Sequence, residues 1–138
     1  MNKEQKGKEK RLLSNYKTMK SQIECIDYEI ELLEDHIEFL KGLRDTENSI
    51  IESNNEIERK RAIKKRLEDC INSIDNALNE LSDTERKIVE LRYLEVKKHT
   101  WKEIGDIVGY SSDYCRKEVL NKILNNSFNI LFNYRKYK

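Results

Sequence analysis

Between Leu12 and Leu40 the apolar residues recur at Leu12, Tyr16, Met19, Ile23, Ile26, Ile30, Leu33, Ile37 and Leu40. The steps alternate 4 and 3 without interruption, the spacing that keeps one stripe of a helix turned toward a partner. The pattern predicts one long helix from Leu12 onward. Gly42 and the polar residues 44–48 end it, and a second helical pattern follows with Ile50, Ile57, Ile63, Leu67, Ile71, Ile74, Leu78 and Leu81. A short connection between long helices favours antiparallel neighbours. Residues 1–81 therefore read as a helical hairpin, a coiled coil.

Charge agrees with that pairing. From Glu24 to Glu38 there are seven acids (Glu24, Asp27, Glu29, Glu31, Glu34, Asp35, Glu38) and no Lys or Arg. From Arg59 to Arg66 there are six bases (Arg59, Lys60, Arg61, Lys64, Lys65, Arg66) and no acid. Folding the chain at about residue 45 lays the two blocks side by side. Such surface pairs are worth only about 0–1 kcal/mol each, so they set orientation rather than strength. Two hairpins joined into a four-helix bundle would make this segment an oligomerisation surface, with a homodimer as the expected product.

After Leu81 the pattern changes. Ser82-Asp83-Thr84-Glu85 is a capping box, which satisfies free backbone N–H groups at a helix start. The helix it opens turns Ile88, Leu91 and Leu94 inward, with Val89 and Tyr93 at the flanks. A polar break at Lys97-Lys98-His99 precedes a second capping box, Thr100-Trp101-Lys102-Glu103. The short helix that follows buries Trp101, Ile104, Ile107 and Val108. Gly109 is placed to close it in the left-handed conformation. Ser111 or Ser112 caps a further helix through about Leu124, with Cys115, Val119, Leu120, Ile123 and Leu124 apolar. A two-turn helix, a glycine turn and a longer helix in sequence form a helix-turn-helix, whose second helix enters the DNA major groove. Gly105 sits where a small residue lets the two helices approach.

Composition narrows the alternatives. The 138 residues contain no proline and four glycines, and 38% of them are charged. An all-β chain needs many turns, so sandwiches and barrels are excluded and an all-α fold is expected. No apolar run is long enough to span a membrane, and the basic N-terminus has no apolar stretch behind it to act as a secretory signal. Cys25, Cys70 and Cys115 are odd in number and contain no CxxC, which points to reduced thiols in a cytoplasmic protein and to no metal site. His36 and His99 lie on a helix flank and in a polar break, read as solvated, with no nucleophile nearby. No glycine-rich phosphate loop occurs. The expectation is a protein without cofactor or metal, and not an enzyme.

Residues 81–93, then Thr100-Trp101-Lys102-Glu103-Ile104-Gly105, then Val108-Gly109-Tyr110-Ser111, resemble region 4 of bacterial sigma factors. The tryptophan in second place and the Gly-Tyr-Ser turn are similar to phage late-gene transcriptional regulators of the ArpU/RinA type, which also tend to carry a helical N-terminal part. The resemblance covers roughly residues 81–124 and implies a DNA-binding domain over 82–138. By analogy the helix at about 112–124 reads promoter DNA, with Ser112, Asp113, Arg116 and Lys117 toward bases or phosphates and Asn121 one turn on. The chemistry is suitable: Arg contacts guanine or phosphate, and Asp accepts from cytosine. Thr100 and Lys102, at a helix start, are placed to hold a phosphate. Ser111 belongs to the same turn. Tyr110 and Tyr114 leave two readings open, packing against the turn or phosphate contact.

From Ser82 onward there are 12 Lys+Arg against 8 Asp+Glu, a net of +4, while residues 1–81 carry 15 against 18, a net of −3. That asymmetry has the sign DNA binding requires. The implied partner is double-stranded DNA, with RNA polymerase as a second partner raised by the resemblance. Two further readings combine the same parts: a small terminase subunit that recognises phage DNA, and a helical adaptor that binds protein. Beyond Asn125, Phe128, Leu131 and Phe132 have helical spacing, with a basic end at residues 134–138, and the apolar trio is expected to pack on the rest.

Overall fold

The computed structural model describes residues 2–126; the expectations for Phe128, Leu131, Phe132 and the basic end fall outside the described residues. These are all helix, turn and connection, so the chain is all-α over them. The helices are α1 (Lys3–Ser14), α2 (Tyr16–Lys41), α3 (Glu47–Asn79), α4 (Asp83–Val89), α5 (Trp101–Val108) and α6 (Leu120–Asn126). A π-helical turn, Glu90–Leu94, prolongs α4, and a π-helical stretch, Tyr114–Val119, leads into α6.

The chain separates into two compact units. Among the described residues, one comprises the N-terminal stretch up to Thr18 together with residues 70–126, and the other is Met19–Asp69. Sequence placed the boundary at residue 81. Packing moves it, because α1 lies against the π-helical turn Glu90–Leu94 and buries Leu13 completely. Val89 and Tyr93, expected at the flanks, are buried as well.

The heptad run is accordingly not one helix. It breaks at Asn15, whose backbone N–H closes α1 on the Arg11 and Leu12 carbonyls before α2 begins at Tyr16. The Tyr16 hydroxyl then donates to Asp75 at 2.6 Å and the Lys98 ammonium to the Ser14 carbonyl at 3.4 Å, which ties this corner to its own unit.

In the other unit, α2 and α3 run antiparallel around Ile30, Ile37 and Ile57, with Ile26, Leu33 and Ile50 packed against them. The turn holds Asp45 at φ 57° and is closed by the Thr46 hydroxyl donating to the Leu40 carbonyl at 2.8 Å. Two of the predicted cross-pairs form: Lys60 with Glu29 and Lys64 with Asp27. Both place the fold near residue 45. Three of the other bases bond along their own helix, Arg59 to Glu56, Arg61 to Glu58 and Lys65 to Asp69.

One apolar residue changes sides. Ile63 is exposed, because the inward stripe of α3 steps through Ile57, Lys60, Lys64 and Leu67. Lysine can occupy such positions by burying its stem and sending its charge to a carboxylate across the seam.

Candidate nucleic-acid interface

The C-terminal module is built by local rules. Ser82 and Thr100 each accept the backbone N–H three residues on, and Glu85 and Glu103 return the bond to the cap N–H, so both capping boxes are complete. The Thr100 N–H, with the Thr100 hydroxyl, holds the Glu103 carboxyl below its ordinary pKa. Gly109 closes α5 at φ 84°, and the Gly109 and Tyr110 N–H groups both donate to the Gly105 carbonyl, at 2.8 and 3.1 Å.

Gly105 is the tightest point. A Cβ there would lie 2.5 Å from the Tyr110 carbonyl oxygen and 3.2 Å from the Ser112 nitrogen. The chain therefore turns directly over α5. Ile88, Leu91, Ile104 and Cys115 form the core beneath, with Trp101, Val108 and Val119 packed on it. Burial pushes the Cys115 thiol pKa up, which keeps it neutral and inert. Ile107, predicted inward, is 52% exposed, because Ile104 and Val108 already fill the contact with the core.

Burying Cys115, Leu120, Ile123 and Leu124 fixes which side of the last helical segment faces out. Ser111, Asp113, Tyr114, Arg116 and Lys117 are exposed, with Ser112 and Asn121 half-buried. Ser111 is the cap: its hydroxyl accepts the Tyr114 N–H at 3.1 Å. Arg116 pairs with Asp113 at 3.2 Å across one exposed turn. The Asn121 amide donates to the Lys117 carbonyl at 2.6 Å and so is engaged with its own backbone. Tyr110 and Tyr114 meet edge to face, ring centres 5.1 Å apart, and both stay about half exposed beside a groove that reaches Ser82 and Thr84. Thr100 and Lys102 are exposed at the start of α5.

Residues 77–116 match the family model for sigma-70, region 4. The module is a sigma region 4-like helix-turn-helix, similar to a family of DNA-binding domains. The match spans 40 of the 138 residues, from the end of α3 into the exposed face just described. No curated protein and no solved structure matches the chain.

The region 4-like module also holds contacts that no spacing rule signalled. The Arg92 guanidinium lies 4.9 Å from the Trp101 ring centre and donates to the His99 carbonyl at 3.1 Å, bracing the start of α5 from below. His99 is not the solvated residue expected. It is largely buried, its Nδ1 lacks a hydrogen-bond partner, and the Glu95 carboxylate stands 3.7 Å away. Its backbone N–H reaches the Leu91 carbonyl at 3.0 Å, which draws the ring inward. His36 is exposed and stacks on Phe39. Among the described residues no cluster could hold a metal ion, and no helix is long and apolar enough to cross a membrane.

Proposed function

We propose that the chain is a sequence-specific, sigma-like transcriptional regulator whose helical segment at about 112–124 lies in the major groove of duplex DNA. The observation that carries the reading is the pairing of a buried side, Cys115 to Leu124, with an exposed side bearing Arg116 and Lys117 at the end of a glycine turn. Asp113 and Arg116 read base edges, Lys117 and Lys102 supply charge toward phosphate, and Ser111, Ser112 and Thr100 offer hydroxyls and backbone N–H groups at helix starts. Tyr114 and Asn121 flank that surface. The Trp101 and Gly109-Tyr110-Ser111 pattern supports a regulator of phage late genes, working in the cytoplasm with RNA polymerase as a partner. One such module binds weakly on its own, and joining copies through the hairpin raises its effective concentration on DNA.

Footprinting on the parent genome identifies the site, and titration of that duplex at several salt concentrations tests the surface. Arg116→Ala with Lys117→Ala should weaken binding at least tenfold and reduce the slope of log K against log salt by about 1–2, since each lost phosphate contact removes roughly 0.9. Unchanged affinity and slope would refute the assignment.

A further inference from the structure

Helix α2 has a second apolar stripe on the side away from its packed seam. Cys25, Tyr28, Leu32 and Phe39 fall along one line, with Asp35 in the intervening place. At 3.6 residues per turn that line runs roughly opposite Ile26, Ile30, Leu33 and Ile37. Its large members are open, with Tyr28 61%, Leu32 50% and Phe39 64% exposed. Single exposed hydrophobic residues need no explanation, whereas a row of them marks a surface that is covered in use. Glu24, Glu31 and Glu38 line one edge, and no base interrupts them.

The outer side of α3 has the opposite character. Asn55, Arg59, Ala62 and Arg66 lie away from its seam, and all are exposed. The pairs Glu29–Lys60 and Asp27–Lys64 show that residues whose numbers sum to about ninety stand at one height in the hairpin. Two hairpins laid side by side at the same level, pointing the same way, obey the same rule. Glu24 then meets Arg66, Glu31 meets Arg59, bulky Tyr28 meets small Ala62, and Phe39 meets Ile51, itself 55% exposed. The Arg59–Glu56 pair is a short-range surface contact that gives way easily. Setting one α2 outer face against another would instead oppose acid with acid.

We propose that a second copy of this chain docks here, the outer face of α2 on one copy against the outer face of α3 on the next. The interface is heterologous: every copy offers one face of each kind, so copies add side by side until the row closes. A two-fold dimer through identical faces, the product expected from the sequence, is not what these charges select. This contact involves no DNA-reading residue, and its test uses no DNA.

The full chain is followed by sedimentation velocity and native mass spectrometry at roughly micromolar to hundred-micromolar concentration. Two variants reverse one face each: Glu24→Lys with Glu31→Lys, and Arg59→Glu with Arg66→Glu. Wild type should assemble, each variant alone should disperse with at least a tenfold loss of affinity, and an equal mixture of the two should reassemble, because opposite charges again face each other. Circular dichroism checks that helicity is kept. Ala62→Trp, a change at an exposed helix position, should disperse the assembly by filling the seat of Tyr28 and serves if a charge variant misfolds. Wild type that stays monomeric at the highest concentration overturns the proposal. So does an Arg59→Glu, Arg66→Glu variant that assembles like wild type, or a mixture that stays dispersed.

Discussion

Replacing Gly105 with alanine adds one carbon at the point where α5 meets the turn. That carbon would sit 2.5 Å from the Tyr110 carbonyl oxygen, 3.3 Å from the Ser111 carbonyl carbon and 3.2 Å from the Ser112 nitrogen. All three are backbone atoms, so no flexible side chain can swing aside and the turn itself has to move. Overpacking of this kind costs about 1–3 kcal/mol, and a backbone obstacle favours the upper half. Alanine returns roughly 1 kcal/mol through its better helix propensity. The net expectation is a loss of about 1–2 kcal/mol. Two other glycines separate the causes. Gly7 in α1 has nothing within 4 Å of an added Cβ, so Gly7→Ala should be neutral or stabilise by up to about 1 kcal/mol. Gly109 also has open space but stands at φ 84°, so Gly109→Ala should cost about 1 kcal/mol from backbone strain alone. Urea unfolding midpoints, compared at a shared slope, measure all three. Duplex titration of Gly105→Ala should show a parallel loss, because Ser111 and Ser112 move with the turn. Should Gly105→Ala prove as stable as wild type, the close approach of α5 to the turn would be wrong.

Three further outcomes follow from the same geometry. The depressed Glu103 carboxyl contributes stability that is complete above the ordinary carboxylate range and is lost as pH falls through its lowered folded value, so the advantage of wild type over Glu103→Gln should shrink on acidification in urea titrations between about pH 7 and 3. Thr100→Ala removes the hydroxyl that accepts the Glu103 N–H and should cost about 1 kcal/mol, whereas Thr100→Ser should cost much less. Brief alkylation in dilute solution should modify exposed Cys25 quickly and spare buried Cys70 and Cys115 until urea unfolds the chain, with intact mass reporting one adduct before unfolding and three after.

What could be read from the residues in advance was mostly local. A capping box fixes its own spacing, and Gly109 is one of few residues that can close a helix at positive φ; both emerge where the pattern put them. The hairpin's bend near residue 45 was legible too, since opposite charge blocks constrain register across the seam. The break at Asn15 was hidden because the heptad spacing runs through it unchanged, and the contacts that go with it, α1 on residues 90–94, Lys98 on Ser14 and Tyr16 on Asp75, come from far along the chain. Ile63 was misplaced for a related reason: hydrophobicity alone favours it over Lys60 and Lys64, and the lysines' partners lie some thirty residues away in sequence. In the candidate interface, the exposed side of the last helical segment followed from its apolar side. The Asp113–Arg116 pair, the engaged Asn121 amide and the Arg92–Trp101 contact depend on rotamers and π-helical geometry, which spacing does not encode.

The burial of Leu13 in α1 also bears on how the chain is handled. A fragment that starts at residue 82, or one trimmed to the stretch matching region 4, would lose α1, which packs on residues 90–94, and would bare Tyr93 and Leu94 to water. Such a piece would precipitate or recruit foreign apolar surface, and a failed binding experiment on it would say nothing about the intact chain. The smallest trustworthy reagent keeps α1 together with the C-terminal module, because these segments, distant in the chain, fold as one unit.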